Sequence, residues 1–355
     1  MPRQLASIQK IDSLSPIEGA DMIELAHIKG WQVVVKKNEF KEGDLGVYFE
    51  IDSFLPIDPR YEFLRNSSYK VSDLLGEGFR IKTVKLRGQL SQGLLLSVKN
   101  FPEIKDPIVG SDVTEILGVR KWEIATRASS SGTIIADLPS YVPYTDEIRI
   151  QNIPEVIEEI NRYEYYISVK MDGTSCSVAI DTEGQFHVFG HQYEYADDGT
   201  STFYEWVKAH HVEELLRDLW EPGTSITVQG EYCGAGIQKN TAKLREPYWF
   251  IFTVLKNGKR ISLHEMKRVS NRLRIRTVPI IECGERGSFI KKHPTVEKIL
   301  EFADGQYKDF DDETKDVGRR EGIVIRSQTP VYSSIVSGDL SFKAVSNKYL
   351  LKNDD

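Results

Sequence analysis

The sequence predicts an α+β protein: a small N-terminal β-barrel followed by a mixed α/β domain built on antiparallel sheets. Three observations carry this expectation. The N-terminal third alternates apolar and polar residues with period two, and glycines break the pattern. Between Ala128 and Pro143 the chain turns to small residues and prolines (ASSSGTIIADLPSYVP). Beyond that stretch, strand-like segments are interleaved with segments of helical period. These set the boundaries: a barrel domain at 1–125, a linker at 126–143 and a second domain at 144–355.

In chain order, WQVVVKKNEF, the turn KEGD and LGVYFEID read as a hairpin, and RIKTVKLRG and LLLSV as two further strands. Short strands at such close spacing suit a barrel. After the linker, Asn152 can cap a helix, IPEVIEEINR, with Pro154 in the first turn and Glu155 at the capping-box position. YEYYISVK then reads as a strand that turns at MDG and returns as SCSVAID. TFYEWVKAHHVEELLRDLW is amphipathic and helical; LHEMKRVSNRLR and PTVEKILEFAD are further helices. TSITVQGEY, YWFIFTVLK and EGIVIRS are strands.

Composition narrows the class of protein. With 40% apolar residues in 355, the chain can bury about two ordinary cores. No apolar run resembles a secretory signal or a membrane span. Cys176, Cys233 and Cys283 are odd in number and lack CxxC spacing, which argues against a disulfide framework and a zinc ribbon. The expectation is a soluble intracellular monomer. A net charge of −7 is unusual for a nucleic-acid binder, but the cations are clustered. Arg80, Lys82, Lys85 and Arg87 crowd one segment. Lys256, Lys259, Arg260, Lys267, Arg268, Arg272, Arg274 and Arg276 crowd another, opposed only by Glu265. Solvated faces of ordinary elements explain many such clusters. The acidic stretch Asp304 to Asp316 reads as a surface loop.

The sharpest local signal is Lys170-Met171-Asp172-Gly173 at a strand end. A K-x-D-G string alone is weak; a solvated lysine before a β-turn explains it equally well. Its weight comes from the ordered groups downstream of it. Gly230-Glu231 ends a strand, the aromatic strand Tyr248 to Phe252 comes next, Glu321-Gly322 opens another, and Lys343 lies in LSFKAVSNKYLLK. A nucleophilic amine, three carboxylates, an aromatic face and a second cation are the parts that adenylyl transfer needs.

This ordered set resembles the covalent nucleotidyltransferases, the superfamily of DNA ligases, RNA ligases and mRNA-capping enzymes. Lys170, Asp172 and Gly173 look like its motif I, Glu231 like motif III, Phe252 like motif IIIa, Glu321 like motif IV and Lys343 like motif V. KGWQVVVKKNEFKEGDLGVYFEIDSFLP, FRIKTVKLRGQLSQGLLL, TDEIRIQN, GAGIQKN and SFKAVSNKYLLK are similar to the Deinococcus/Naegleria type of RNA ligase, across nearly the whole chain. The resemblance implies an OB-fold nucleic-acid-binding domain before an ATP-grasp-like ligase domain. It implies lysyl-AMP formation from ATP with Mg²⁺ or Mn²⁺, transfer of AMP to a 5′-phosphate, and sealing of 3′-OH/5′-phosphate nicks in RNA-containing duplexes. DNA ligases and capping enzymes carry their OB domain after motif V, so the order here favours the RNA ligase. A GTP-using capping-type transferase and a nucleic-acid-binding protein with a decayed transferase domain are the alternatives.

The chemistry constrains the roles. Lys170 must attack as a neutral amine, yet a pKa of about 10.4 leaves roughly 0.1% neutral near pH 7.4, a penalty of about 4 kcal/mol. A divalent cation and Lys343 can each depress that pKa. Asp172, Glu231 and Glu321 are the expected metal ligands, partly through water. By the resemblance Glu231 also contacts the AMP ribose, Arg149 lies beside the nucleotide, and Ser175 sits near its phosphate. Phe252 offers a face for adenine, although a core role would explain it too. Two positions depart from the family. Gly190-His191-Gln192 stands where motif Ia usually has an arginine, and motif V lacks its second lysine, since Ser341 and Val345 flank Lys343 and leave Lys348 as substitute. His264-Glu265 begins like a zincin motif, but position 268 is Arg268, and His210-His211 point to different helix faces.

Overall fold

A computed structural model describes residues 3–122, 132–307 and 318–353. The chain divides into two compact units, Met1–Ala125 with Leu350–Asp355, and Thr126–Tyr349.

In the first unit all pairing is antiparallel. Leu45–Phe49 is the middle strand between Ala6–Lys10 and Leu94–Ser97. Ser13–Pro16, Ile23–Ile28 and Trp31–Lys36 form a second ladder, and Arg120–Lys121, Ser53–Leu55, Gly76–Arg80 and Tyr69–Ser72 a third. Thr83–Leu86 and Gln89–Gln92 form a separate hairpin. Among the described residues these ladders do not join into one closed barrel. The first and third ladders share a core that includes Ile8, Val47, Phe49, Leu55, Phe79 and Phe101.

The hairpin expected from Trp31 to Asp52 does not form. Trp31–Lys36 pairs back with Ile23–Ile28 across the short Lys29-Gly30 turn, where Lys29 takes a positive φ of 51°. The longer loop after Lys36 instead buries Phe40 and sends Leu45–Phe49 into the other ladder. A tight turn fixes strand partners more strongly than pattern does.

The second unit holds two large sheets and a small hairpin, Tyr332–Ser333 with Gly338–Asp339. The larger runs Ile134–Asp137, Tyr193–Tyr195, Phe186–Phe189, Thr174–Ile180, Ile226–Cys233, Tyr248–Lys256, Lys259–Arg260. The smaller runs Ile148–Arg149, Ser341–Val345, Gly322–Ser327, Tyr165–Lys170, Ile280–Gly284. Pairing between these strands is antiparallel except between Ile148–Arg149 and Ser341–Val345, which are parallel; an isolated parallel bridge also joins Ile251 to Thr277. Cys176, Val178, Val228, Tyr232 and Trp249 turn one face of the larger sheet toward the helices Thr202–Ala209, Val212–Arg217 and Leu263–Leu273. A second core gathers Ile167, Ile323, Ile325 and Phe342 of the smaller sheet with Val156–Ile160, Phe289–Lys292 and Val296–Ala303.

Three local readings change. Residues 123–131 lie outside the described residues, but the rest of the expected linker is structured: Ile134–Asp137 is an edge strand. Asn152 ends a 3-10 turn, and the helix after it is only Val156–Ile160, without a side-chain cap. The long helix predicted through His210-His211 breaks there, because His211 adopts a left-handed backbone (φ 53°) and His210 stacks on Trp206 at 3.8 Å. Leu263–Leu273 does carry a capping box, from Ser262 and Glu265.

Candidate active site

Tyr165–Lys170 and Thr174–Ile180 are not the hairpin their sequence suggests. They pair in different sheets, and Met171-Asp172-Gly173 carries the chain from one to the other. That crossing sets Lys170 at the junction of the two sheets. Gly173 has to be glycine: a Cβ there would lie 2.5 Å from the Tyr232 carbonyl oxygen and 2.6 Å from Cys233 Sγ.

Strand register then delivers the other groups. Lys170 is paired with Gly322, so Glu321 lies beside it, and Lys170 Nζ donates to Glu321 Oε2 at 2.7 Å. Ser175 is paired with Glu231 on the face of the larger sheet opposite its helices. Lys343 faces the site from the strand beside Val324. Lys170, Ser175, His191, Glu231, Phe252 and Lys343 all line one cavity of about 310 Å³, within the usual range for small-molecule sites. Asp172 and Glu321 do not line it, but Asp172 acts electrostatically on Lys170, as Glu321 and Glu231 do.

Comparisons with known proteins agree with this geometry. Residues 5–98 match an OB-fold domain model, and residues 163–345 match the RNA ligase model. Several solved structures of the Naegleria gruberi RNA ligase superpose on the chain. A mutant in the apo form is 34% identical, with 99% of each chain covered and a TM-score of 0.87. A mutant with ATP and Mn is 34% identical, covering 99% of this chain and 100% of that one, also at 0.87. The form with PPi is again 34% identical, with 99% of each chain covered and a TM-score of 0.87. No curated protein matches the chain. The chain belongs to the RNA ligase family.

In this family member the protein alone raises the pKa of Lys170. Burial opposes the ammonium, but the carboxylates of Glu321, Glu231 and Asp172 outweigh it. Glu231 is pushed up to about 8, by burial first and by Glu321 and Asp172 next, against the pull of Lys170. The three expected metal ligands do not converge as a ready metal cage among the described residues; instead the Lys170 ammonium is bonded to Glu321.

Ser175 Oγ shares a hydrogen bond with Thr145 Oγ1 at 2.8 Å, so it faces the cavity wall rather than solvent. Arg149 is buried and in register with Lys343, but it does not line the cavity. Lys348 does not line the cavity; its ammonium pairs with Asp304 at 2.5 Å and its side chain is 64% exposed. Arg326, which sequence reasoning missed, stands directly across from Ser341. Its guanidinium donates to Ser341 Oγ at 2.8 Å, to Glu147 Oε1 at 2.7 Å and to the Phe252 carbonyl at 2.6 Å, and lies 5.7 Å from the Phe252 ring centre. The Ser341 hydroxyl also donates to Glu147 Oε1, at 2.6 Å. The serine that looked like a deficit is part of a brace. Its only sequence signal was the arginine in EGIVIRS, which an apolar strand core would not be expected to hold.

In the first unit Arg80 leaves the expected basic groove. It is buried, 5.2 Å from the Trp122 ring and 4.0 Å from Asp52. Lys82 is half-buried, while Lys85 and Arg87 are exposed on the Thr83–Gln92 hairpin. Most of the acidic stretch from Asp304 lies outside the described residues.

Proposed function

We propose that this RNA ligase adenylylates Lys170 from ATP and passes AMP to a 5′-phosphate, so that a 3′-OH can seal the nick. The observation that carries the reading is the lysine at the sheet junction, set among three carboxylates and open to a cavity with an aromatic wall. Nζ attacks the α-phosphorus, the P–O bond to pyrophosphate breaks, and the amine loses a proton. Phe252, fixed at its carbonyl by Arg326, which lines the same cavity, presents a flat apolar face to adenine. Lys343 and His191, on the cavity wall, face the phosphates, and Ser175 lies beside them. Glu231 faces the ribose. Arg149, in register with Lys343 on the neighbouring strand, is the candidate cation beside the nucleotide.

The carboxylates fit a divalent cation, Mg²⁺ or Mn²⁺. Asp172 Oδ2 is buried without a hydrogen-bond partner, and burial, with Glu321 and Asp172 nearby, pushes the Glu231 carboxyl up to about 8. Asp172, Glu231 and Glu321 would hold the ion, in part through water. When bound, it offsets the carboxylates that keep Lys170 charged and stabilises charge on the phosphate oxygens. The solved Naegleria ligase structures with ATP and Mn or AMP and Mn support the same nucleotide and metal. The OB-fold domain would hold the RNA, with Lys85 and Arg87 as its exposed cations. Among the described residues, no helix is long and apolar enough to cross a membrane.

Incubation with α-labelled ATP or GTP and Mn²⁺, followed by denaturing electrophoresis, tests the reading. Covalent label from ATP alone is expected. Label from GTP alone would turn the assignment to a capping-type transferase.

A further inference from the structure

The basic cluster between Lys256 and Arg276 has no part in the site described above. In the structure it forms one surface. Leu263, Met266, Val269 and Leu273 turn inward onto the larger sheet, which leaves Lys267, Arg268 and Arg272 on the solvent face of the helix. Arg274 follows, exposed, at the helix end. The hairpin Lys256-Asn257-Gly258-Lys259 adds two exposed lysines at the sheet edge. The helix packs against Tyr248–Lys256, the strand that leads into the hairpin, so hairpin and helix lie side by side, and both Lys256 and Arg268 act on the Glu265 carboxylate. None of Lys256, Lys259, Lys267, Arg268, Arg272 or Arg274 has a carboxylate within ion-pair distance among the described residues. Arg260, by contrast, is held by Ser327 and Asp339.

The position of this surface matters as much as its charge. The helix covers the face of the sheet opposite the one on which Ser175 and Glu231 stand. Its cations therefore do not reach the reacting phosphate. The surface also carries no large exposed apolar side chain, since all those exposed among the described residues lie elsewhere in the chain. A protein partner would want an apolar centre in its interface. A polyanion bound through its backbone alone would not. From this charge complementarity we infer that the solvent face of the Leu263–Leu273 helix, with the Lys256–Lys259 hairpin, is a second RNA-binding surface that grips the phosphate backbone of the substrate beyond the nick. The inference rests on the RNA ligase reading only for the identity of the polyanion.

Two properties follow. Binding is independent of sequence and sensitive to salt, and it benefits only RNA whose arms are long enough to pass the sheet edge. The test uses the full chain and a triple variant, Lys267→Gln, Arg268→Gln and Arg272→Gln, all at exposed positions outside the cavity. Fluorescence anisotropy, without ATP or metal, measures binding of nicked RNA duplexes with arms of about 16 base pairs, the span a two-groove contact covers. Duplexes with arms of a few base pairs serve as the short comparison. For the long duplex the variant should bind about tenfold or more weakly. Its log Kd against log salt should flatten by about 2.7, as loss of three phosphate contacts to a duplex requires. The short duplex should bind both proteins alike. A charge-preserving variant, Arg268→Lys with Arg272→Lys, should keep the long-duplex affinity. An unchanged salt slope for the triple variant, or equal losses on long and short duplexes, would overturn the inference. Lysyl labelling from ATP, run on the same preparations, reports separately on the catalytic reading: absent label in the wild type sinks that reading and leaves the binding result standing.

Discussion

At the scale of single residues, the site is a problem of surplus negative charge. Asp172, Glu231 and Glu321 act on one ammonium: Lys170 is raised by them, and Glu231 is raised to about 8, by burial first and by its carboxylate neighbours next. For catalysis the first shift is in the wrong direction, because the nucleophile must be neutral. Lys170→Ala should therefore abolish covalent labelling under all metal conditions, and a labelled Ala variant would remove this lysine from the mechanism. The second shift has a consequence for stability. A carboxyl whose folded pKa is raised contributes stability that is full below its unfolded pKa of 4.5 and is lost as pH rises toward 8. Without metal, the wild type should lose stability between those values, whereas Glu231→Gln, with nothing to ionise, should not. Thermal melts at pH 5 should nearly coincide, and at pH 8 the variant should melt a few degrees higher, on the scale of about 1 kcal/mol or more. Added Mn²⁺ should then favour the wild type, which keeps its ligand. A variant that melts lower than wild type at pH 8 without metal would show that Glu231 is not under strain from its neighbours.

At the scale of elements, sequence patterns identified strands and helices better than they identified partners. The motif residues were legible because each has a chemical reason to sit at a strand end, and Glu231, Phe252, Lys170 and Lys343 do meet around one cavity. The pairing was not legible. MDG looks like a hairpin turn, yet it crosses between sheets, and no local feature of three residues encodes which sheet the next strand joins. The helix through His210-His211 failed because stacking of His210 on Trp206 and the left-handed His211 outweigh an amphipathic period. Arg326 was missed for a related reason: it acts through the register with Ser341, which only the sheet supplies. Its brace gives a prediction at this scale. The Arg326–Glu147 pair is largely buried, with side chains 7% and 18% exposed. Glu147→Ala leaves a buried guanidinium with a lost partner, which should cost about 3 kcal/mol of stability. Phe252 should also lose a fixed neighbour, so KM for ATP in the labelling reaction should rise about tenfold while Lys170 still becomes labelled. Stability lost without any change in KM would make the brace structural only.

At the scale of the whole molecule, the division after Ala125 suggests that the adenylylating unit can work without the OB-fold domain. Where a fragment begins is decided by the segment that the sequence presented as a linker. Ile134–Asp137 pairs with Tyr193–Tyr195, and Val142 packs with Ala179 and Phe189. Buried Gln229 donates its amide to the Pro143 carbonyl at 2.8 Å, and Thr227 Oγ1 donates to the Tyr141 carbonyl at 3.3 Å. Starting at Tyr144 would strip all of this from the sheet that carries Ser175 and Glu231. The unsatisfied Gln229 and the exposed apolar patch should together cost roughly 3 kcal/mol, which is on the order of 5–10 °C in melting temperature for a unit of this size. A fragment starting at Gly132 should keep these contacts, melt higher than the Tyr144 fragment, and label Lys170 from ATP as the full chain does. Both fragments should lose most sealing of a nicked RNA duplex, since the domain proposed to hold the nucleic acid is gone. Sealing and labelling are separable by supplying a pre-adenylylated 5′ end, so a loss in sealing cannot be mistaken for a loss in adenylylation. Equal melting temperatures for the two fragments would mean that residues 132–143 do not support the sheet. Undiminished sealing by the Gly132 fragment would move the RNA contacts onto the ligase domain itself, where the basic face of the Leu263–Leu273 helix would be the first surface to mutate.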